Sequence, residues 1–166
     1  MNEQTSREHL QPALLDRLTD EAPAKKTETR NEKVISMRRL KQAILRDLAW
    51  LFNTTHLAAV RDLSEFPNVS HSTLNYGVPD FSGQTASGAD IDRLEQALKQ
   101  AICDFEPRIL RKTLVVRAVV AKDEMSYNAV CFEIEGELWA QPAPEHLVLR
   151  TELDLENGDV KVEEAF

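Results

Sequence analysis

Asp104 and Glu106 stand two residues apart, with Arg108 two further on. Paired carboxyls are the equipment of a glycosidase, which needs them facing one cleft roughly 5–9.5 Å apart with one kept protonated. Arg108 argues against that use, because a neighbouring guanidinium holds a carboxylate ionised. No aromatic sugar platform surrounds the pair: Trp50 falls in a helical pattern and Trp139 at a strand end, and both read as core side chains. Nucleophilic chemistry has equally little footing. Cys103 falls on an amphipathic helix and Cys131 in a strand, so both read as packed thiols, and Ser70-His71-Ser72 lacks the glycine elbow that exposes a hydrolase serine. The 4 histidines, His9, His56, His71 and His146, have no zinc-ligand spacing. With 2 cysteines a four-thiolate zinc site is excluded and a disulfide framework is not expected. No phosphate-cradling glycine loop is present. These residues supply no catalytic set, no metal site and no cofactor site.

Phe105-Glu106-Pro107-Arg108 supplies a rigid polar corner instead. Proline fixes the backbone and pushes Glu106 out of the α region, so Glu106 and Arg108 project with opposite charge where a helix passes to a strand. Two readings follow. One is a local salt bridge with a helix stop, since ion pairs are common and individually weak. The other is a preorganised anchor for a partner subunit, in which arginine is the favoured hot-spot cation.

The elements that position this corner are legible as periodicities. Ser36 can cap a helix running to about Asn53, with Leu40, Ile44, Leu48 and Leu51 on one face and Arg38, Arg39, Lys41 and Arg46 mostly on the other. Ser87 with Asp90 resembles a capping box for a second helix, whose Ile91, Leu94, Leu98, Ile102 and Phe105 make one stripe and which Pro107 stops. Between the two, residues 64–89 are rich in Ser, Asn, Pro and Gly, a long and therefore functional loop that Leu74, Tyr76, Val78 and Phe81 should pin to the core. After the second helix, period-2 alternation marks strands around Leu114–Val120, Val130–Leu138 and Leu147–Leu155, and Asn157-Gly158 turns the chain into a fourth with Val160 and Val162. Helices first and strands afterwards predict an α+β domain over residues 34–166, with two or three helices on one face of an antiparallel sheet of about four strands. The last strand would be short and charged, with an edge that could accept another chain's strand or, through its acids, refuse it.

Residues 1–33 read as a flexible docking arm and linker, polar apart from Leu14, Leu15 and Leu18, which share a helical face around Arg17. Its short turn cannot persist alone in water, so three leucines there are best explained as a peptide that docks on a partner. Charge is segregated. Residues 1–33 carry a net −1, residues 34–122 a net +3, and residues 123–166, with 2 basic against 12 acidic groups, a net −10. Such polarity points to different partners at each end, or to acids filling the solvent face of a sheet. The overall charge of −8 argues against generic nucleic-acid binding. The chain shows no run of roughly 20 apolar residues that would span a bilayer, so a soluble cytoplasmic protein is expected.

Leu14-Leu15-Asp16-Arg17-Leu18, Ser36-Met37-Arg38-Arg39-Leu40 with Arg46-Asp47-Leu48, Leu74-Asn75-Tyr76-Gly77-Val78-Pro79-Asp80 and Phe105-Glu106-Pro107-Arg108 together resemble the TssE-like subunits of type VI secretion baseplates. These fall within a phage tail baseplate wedge family whose label includes the word lysozyme. The resemblance covers most of residues 10–140. It implies a structural protein with no wall-cleaving activity, seated in a cytoplasmic baseplate docked at the inner-membrane side with TssF, TssG and TssK, and priming the TssB–TssC contractile sheath. It also implies that Glu106, Pro107 and Arg108 form the functional motif, that Leu14, Leu15, Arg17 and Leu18 dock in the wedge, and that Arg108→Ala would abolish sheath assembly while leaving the fold intact. The alternative suggested by the label is a muramidase-like peptidoglycan hydrolase.

Overall fold

Leu40, Ile44, Leu48 and Leu51 align every three or four residues, and in the computed structural model they form the buried stripe of helix α2, Met37–Phe52. The described residues are 13–19, 36–82, 90–119, 129–140 and 144–165, and the structural statements below concern these. The Ser36 hydroxyl accepts the Arg39 amide at 3.3 Å and so satisfies one of the first-turn donors that have no partner within the helix. A five-residue helix, α1 (Leu14–Leu18), precedes it, and a four-residue one, α3 (Pro67–Ser70), follows. The other long helix, α4 (Ile91–Phe105), is capped by the Asp90 carboxylate on the Arg93 amide. The expected companion of that cap, Ser87, lies outside the described residues. Leu94, Leu98, Ala101 and Ile102 face inward from α4.

Strands β1 (Val115–Val119), β2 (Ala129–Leu138), β3 (Glu145–Asp154) and β4 (Val160–Glu164) form one sheet in the order β1-β2-β3-β4, every pair antiparallel. This is the expected α+β arrangement. Val116, Phe132, Ile134, Leu149, Leu153 and Val160 lie on the face that joins the core with the stripes of α2 and α4. The opposite face carries Arg117, Glu133, Glu135, Arg150, Glu152, Lys161 and Glu163, so many of the C-terminal acids do fill the outer side of a sheet. The β3–β4 connection is wider than the expected Asn157-Gly158 turn. It runs over residues 155–159, with Leu155 fully buried beneath it and Gly158 at φ +80°.

The connection between α2 and α4 holds two 3-10 turns, Leu57–Ala59 and Thr73–Asn75, around α3. Val78 and Phe81 are buried as expected and Tyr76 packs against the core, but Leu74 is 71% exposed. The anchor at that point is its neighbour. Asn75 is buried, accepts the Ala58 amide and donates to the Ser70 carbonyl, both at 2.8 Å, so one side-chain amide ties both turns together. The tryptophans also depart from expectation: Trp50 is 52% and Trp139 57% exposed. Trp50 sits on the outer side of α2 with the Arg46 guanidinium 5.2 Å from its ring centroid. Trp139 follows the fully buried Leu138 and precedes the buried Ala140, so alternation turns it outward.

Gly77, at φ +124°, lets the chain run beside the end of α2, where the Val78 amide donates to the Thr54 carbonyl (2.8 Å) and the His56 amide to the Val78 carbonyl (3.0 Å). A Cβ there would lie 2.2 Å from the Thr54 carbonyl oxygen, in a backbone conformation that L side chains rarely adopt. Gly77→Ala should therefore lower unfolding free energy by about 3 kcal/mol in urea titration. A midpoint unchanged from wild type would show that this crossing is not needed for stability.

Candidate functional site

Glu106 caps the C-terminus of α4, its amide still bonded to the Ile102 carbonyl at 2.9 Å, and its side chain turns inward to 3% residue exposure. Pro107 is exposed on the outside of the corner. Arg108 folds back onto Glu106: its amide and its Nε both donate to Oε1, at 3.1 and 2.7 Å, and its Nη2 donates to Oε2. This forked pairing is the geometry for which a planar guanidinium suits a carboxylate. The segment is also stitched to the sheet, because the Arg108 carbonyl accepts the Trp139 amide and the Leu110 amide donates to the Glu137 carbonyl, both at 2.8 Å.

The corner is more than a local ion pair. Arg108 Nη2 also donates to Asp47 Oδ2 of α2 at 2.6 Å. Asp47 Oδ1 accepts Arg46 Nε at 2.9 Å, and Arg46 Nη1 donates to Asp16 Oδ1 of α1 at 2.8 Å. Glu106, Arg108, Asp47, Arg46 and Asp16 thus alternate in sign from the end of α4 across α2 to α1. Burial alone would lower the pKa of Arg108, but the hydrogen bonds and charge of Glu106, and then those of Asp47, more than reverse this. Arg46 likewise ends above its ordinary value, with burial outweighed by Asp16 and Asp47. Asp16 Oδ2 and Arg108 Nη1 are buried without a hydrogen-bond partner among the described residues, whereas Arg46 Nη2 is ion-paired with Asp47 Oδ1 at 2.8 Å.

Beside the relay lies a recess of about 200 Å³ in which Asp47, Glu106 and Arg108 meet Trp50, Tyr76 and Phe105. Tyr76 and Phe105 meet edge to face, with ring centroids 5.2 Å apart. Burial first, then the charges of Asp47 and Glu106, push the Tyr76 phenol above its ordinary pKa.

Of the residues expected to dock on partners, Glu106, Pro107 and Arg108 meet at this corner, and the arm residues stand at the far end of the same relay. Leu14 and Leu18 are 70% and 75% exposed, Leu15 is also exposed, and α1 has no buried residue. Arg17 is exposed. Asp16 reaches back to α2 through Arg46. Sequence reading missed Asp16, Arg46 and Asp47 as a site, because their pairing spans 30 and 61 positions and follows no helical spacing. The available signal was the oppositely charged doublet Arg46-Asp47 on a helix otherwise basic on its polar side. Asp104, once weighed as a catalytic partner of Glu106, instead holds His71 Nδ1 and Gln100 Nε2, each at 2.9 Å, while both oxygens of Glu106 are taken by Arg108. The two carboxyls do not converge on one site.

The family model described as baseplate wedge protein gp25 matches residues 38–143, a span that includes all but the first residue of α2, together with α4, the Glu106-Pro107-Arg108 corner, β1 and β2. Neither the curated proteins nor the solved structures yield a match.

Burial of Glu106 revises the consequence expected for loss of Arg108. Arg108→Ala would leave a carboxylate enclosed without its cation, so it should cost about 3 kcal/mol in urea unfolding instead of sparing the fold. Removing both partners, in Glu106→Ala with Arg108→Ala, should cost less than the two single losses together by about 1–3 kcal/mol. Simple additivity would show that the pair does not act as a unit.

Proposed function

This chain belongs to the baseplate wedge protein gp25 family, a structural component of a baseplate, and on that premise we propose that it serves a contractile type VI secretion apparatus, seated in the wedge with TssF, TssG and TssK and priming the TssB–TssC sheath. The observation that carries this reading is the relay itself. It joins the corner and α1 as parts of one polar chain, leaves buried Asp16 Oδ2 and Arg108 Nη1 without a hydrogen-bond partner among the described residues, and has Leu14, Leu15, Leu18 and Trp50 exposed around it. Isolated exposed apolar residues need no explanation, but a set grouped about a preorganised charged anchor has the composition of a binding hot spot. In this reading residues 1–33 are the docking arm, Glu106, Pro107 and Arg108 the fixed anchor, and residues 34–166 the body on which both are mounted.

In this reading sheath priming falls to the edge of the sheet. The Ala165 amide bonds to the Val148 carbonyl, and the Asp154 amide to the Asp159 carbonyl. Odd-numbered residues of β4 therefore pair with β3, and the backbone groups of Val160, Val162 and Glu164 turn outward. A sheath segment added there would continue the antiparallel sheet.

Replacing Leu14, Leu15 and Leu18 together by serine should reduce co-purification with TssF, TssG and TssK at least about tenfold, a change of roughly 1.4 kcal/mol, with the melting temperature essentially unchanged. A large fall in melting temperature would place the arm in the core and remove its docking role. In a peptidoglycan turbidity assay the protein should not clear the suspension. Clearing that disappears in Glu106→Gln would overturn the structural reading in favour of a hydrolase.

A further inference from the structure

The outer face of the sheet carries charge in a regular order. The strand registers place Arg117 opposite Glu133, Glu133 opposite Arg150, and Arg150 opposite Glu163. One row across all four strands thus reads basic, acidic, basic, acidic, and it ends at the free edge of β4. The neighbouring row runs Val119, Cys131, Glu152, Lys161 and ends there with the opposite sign. Lys161 and Glu163 are exposed. Between them Val162 turns to the other face and packs against the core.

The same edge has a fixed end. Asn53, at the C-terminus of α2, donates through Nδ2 to the Val160 carbonyl at 2.8 Å and accepts the Val160 amide on Oδ1 at 2.9 Å. Its side-chain amide occupies both outward groups of Val160 as a neighbouring strand would. Of the outward-facing residues of β4, Val162 and Glu164 have backbone groups with no hydrogen-bond partner among the described residues, while the Glu164 carboxylate pairs with Lys41 of α2 at 3.4 Å. On the opposite margin of the sheet, Glu95 of α4 accepts the outward Ala118 amide at 2.6 Å, which closes part of β1.

Resting on the strand-addition reading above, we propose that the β4 edge is coded: it takes an antiparallel segment of another protein reading basic–apolar–acidic in chain order, with the apolar residue opposite Val162. The basic residue then faces Glu163 and continues its row, and the acidic residue faces Lys161. Directly opposed unlike charges stabilise a strand pair and like charges oppose it. Asn53 sets the register by closing the position opposite Val160.

The code is one that β4 itself satisfies, since Lys161-Val162-Glu163 is self-complementary when paired antiparallel about Val162. A second copy is nonetheless the poorer occupant. Self-pairing about Val162 would set Glu164 of the copy against Val160, whose backbone groups Asn53 already holds, leaving the single rung at Val162. The net −10 of residues 123–166 also repels its like.

The test uses the full chain and two short capped peptides of equal composition, one centred on Lys-Val-Glu and one on Glu-Val-Lys, with binding read from amide exchange at Val162 and Glu164. Wild type should bind the Lys-Val-Glu peptide about tenfold more tightly, and the double reversal Lys161→Glu with Glu163→Lys should invert the preference. Equal binding of both peptides by both proteins would overturn the code and leave strand addition standing. Failure of both peptides to protect Val162 and Glu164 would overturn strand addition and the code together. Wild-type dimers in light scattering that Lys161→Glu dissolves would make a second copy the occupant and overturn the assignment to another protein.

Discussion

Glu106 is a carboxylate almost wholly removed from water, at the point where a helix must hand the chain to a sheet. Burying such a charge costs several kcal/mol unless a counter-ion and hydrogen bonds are in place. Arg108 meets that requirement from two residues away only because Pro107 bends the backbone between them, so the tripeptide works as one unit. The guanidinium that satisfies Glu106 must itself be satisfied, and Asp47 on α2 supplies the second carboxylate. One desolvated charge thus ties the helix stop to the start of the sheet and adds a polar link between the ends of α2 and α4, whose apolar stripes already share a core.

The relay also explains how a protein with little exposed machinery can offer a defined surface. A five-residue helix cannot hold itself together in water, and α1 buries no residue of its own. Among the described residues it is linked to the body by Asp16 on Arg46, the last step of the chain that begins at Glu106. The leucines are held outward beside a structured anchor. At the two margins of the sheet, Asn53 at the end of α2 and Glu95 of α4 each spend a side chain on the backbone of an edge strand. Edges are commonly shielded against indiscriminate pairing, and here the shielding is partial, so a short stretch of β4 remains open. Corner and edge are both built on the one α+β domain, through α2 and α4.

Much of this fold could be read from the chain because its periodicities agree with its tertiary contacts. The stripes of α2 and α4 and the alternation in β1 to β4 name the core nearly residue by residue. Reading failed where a polar contact displaced an apolar expectation. Leu74 looked like the loop's anchor, but the Asn75 amide satisfies two backbone groups that a leucine could not, so the leucine turns out. Trp50 and Trp139 were assigned inward by residue type, whereas their positions on a helix face and in a strand alternation point outward. The corner was legible because Glu106, Pro107 and Arg108 are contiguous. Asp47, Arg46 and Asp16 were not, since only folding brings them together, and the rule that buried charge must be paired has no sequence spacing.

The most direct measurement of the account is native-state hydrogen exchange on Asp47→Asn, which keeps the shape of the side chain and removes its charge from the middle of the relay. Asp47 is held between two arginines and, among the described residues, makes no hydrogen bond to α1, so an effect on that helix is transmitted by Arg46. The relay predicts that protection falls at both ends at once: at the Arg108 amide, which donates to Glu106, and at the Arg17 and Thr19 amides, which close α1. Loss at Arg108 with α1 exchanging as in wild type would contradict it, and would reduce the corner to a local salt bridge.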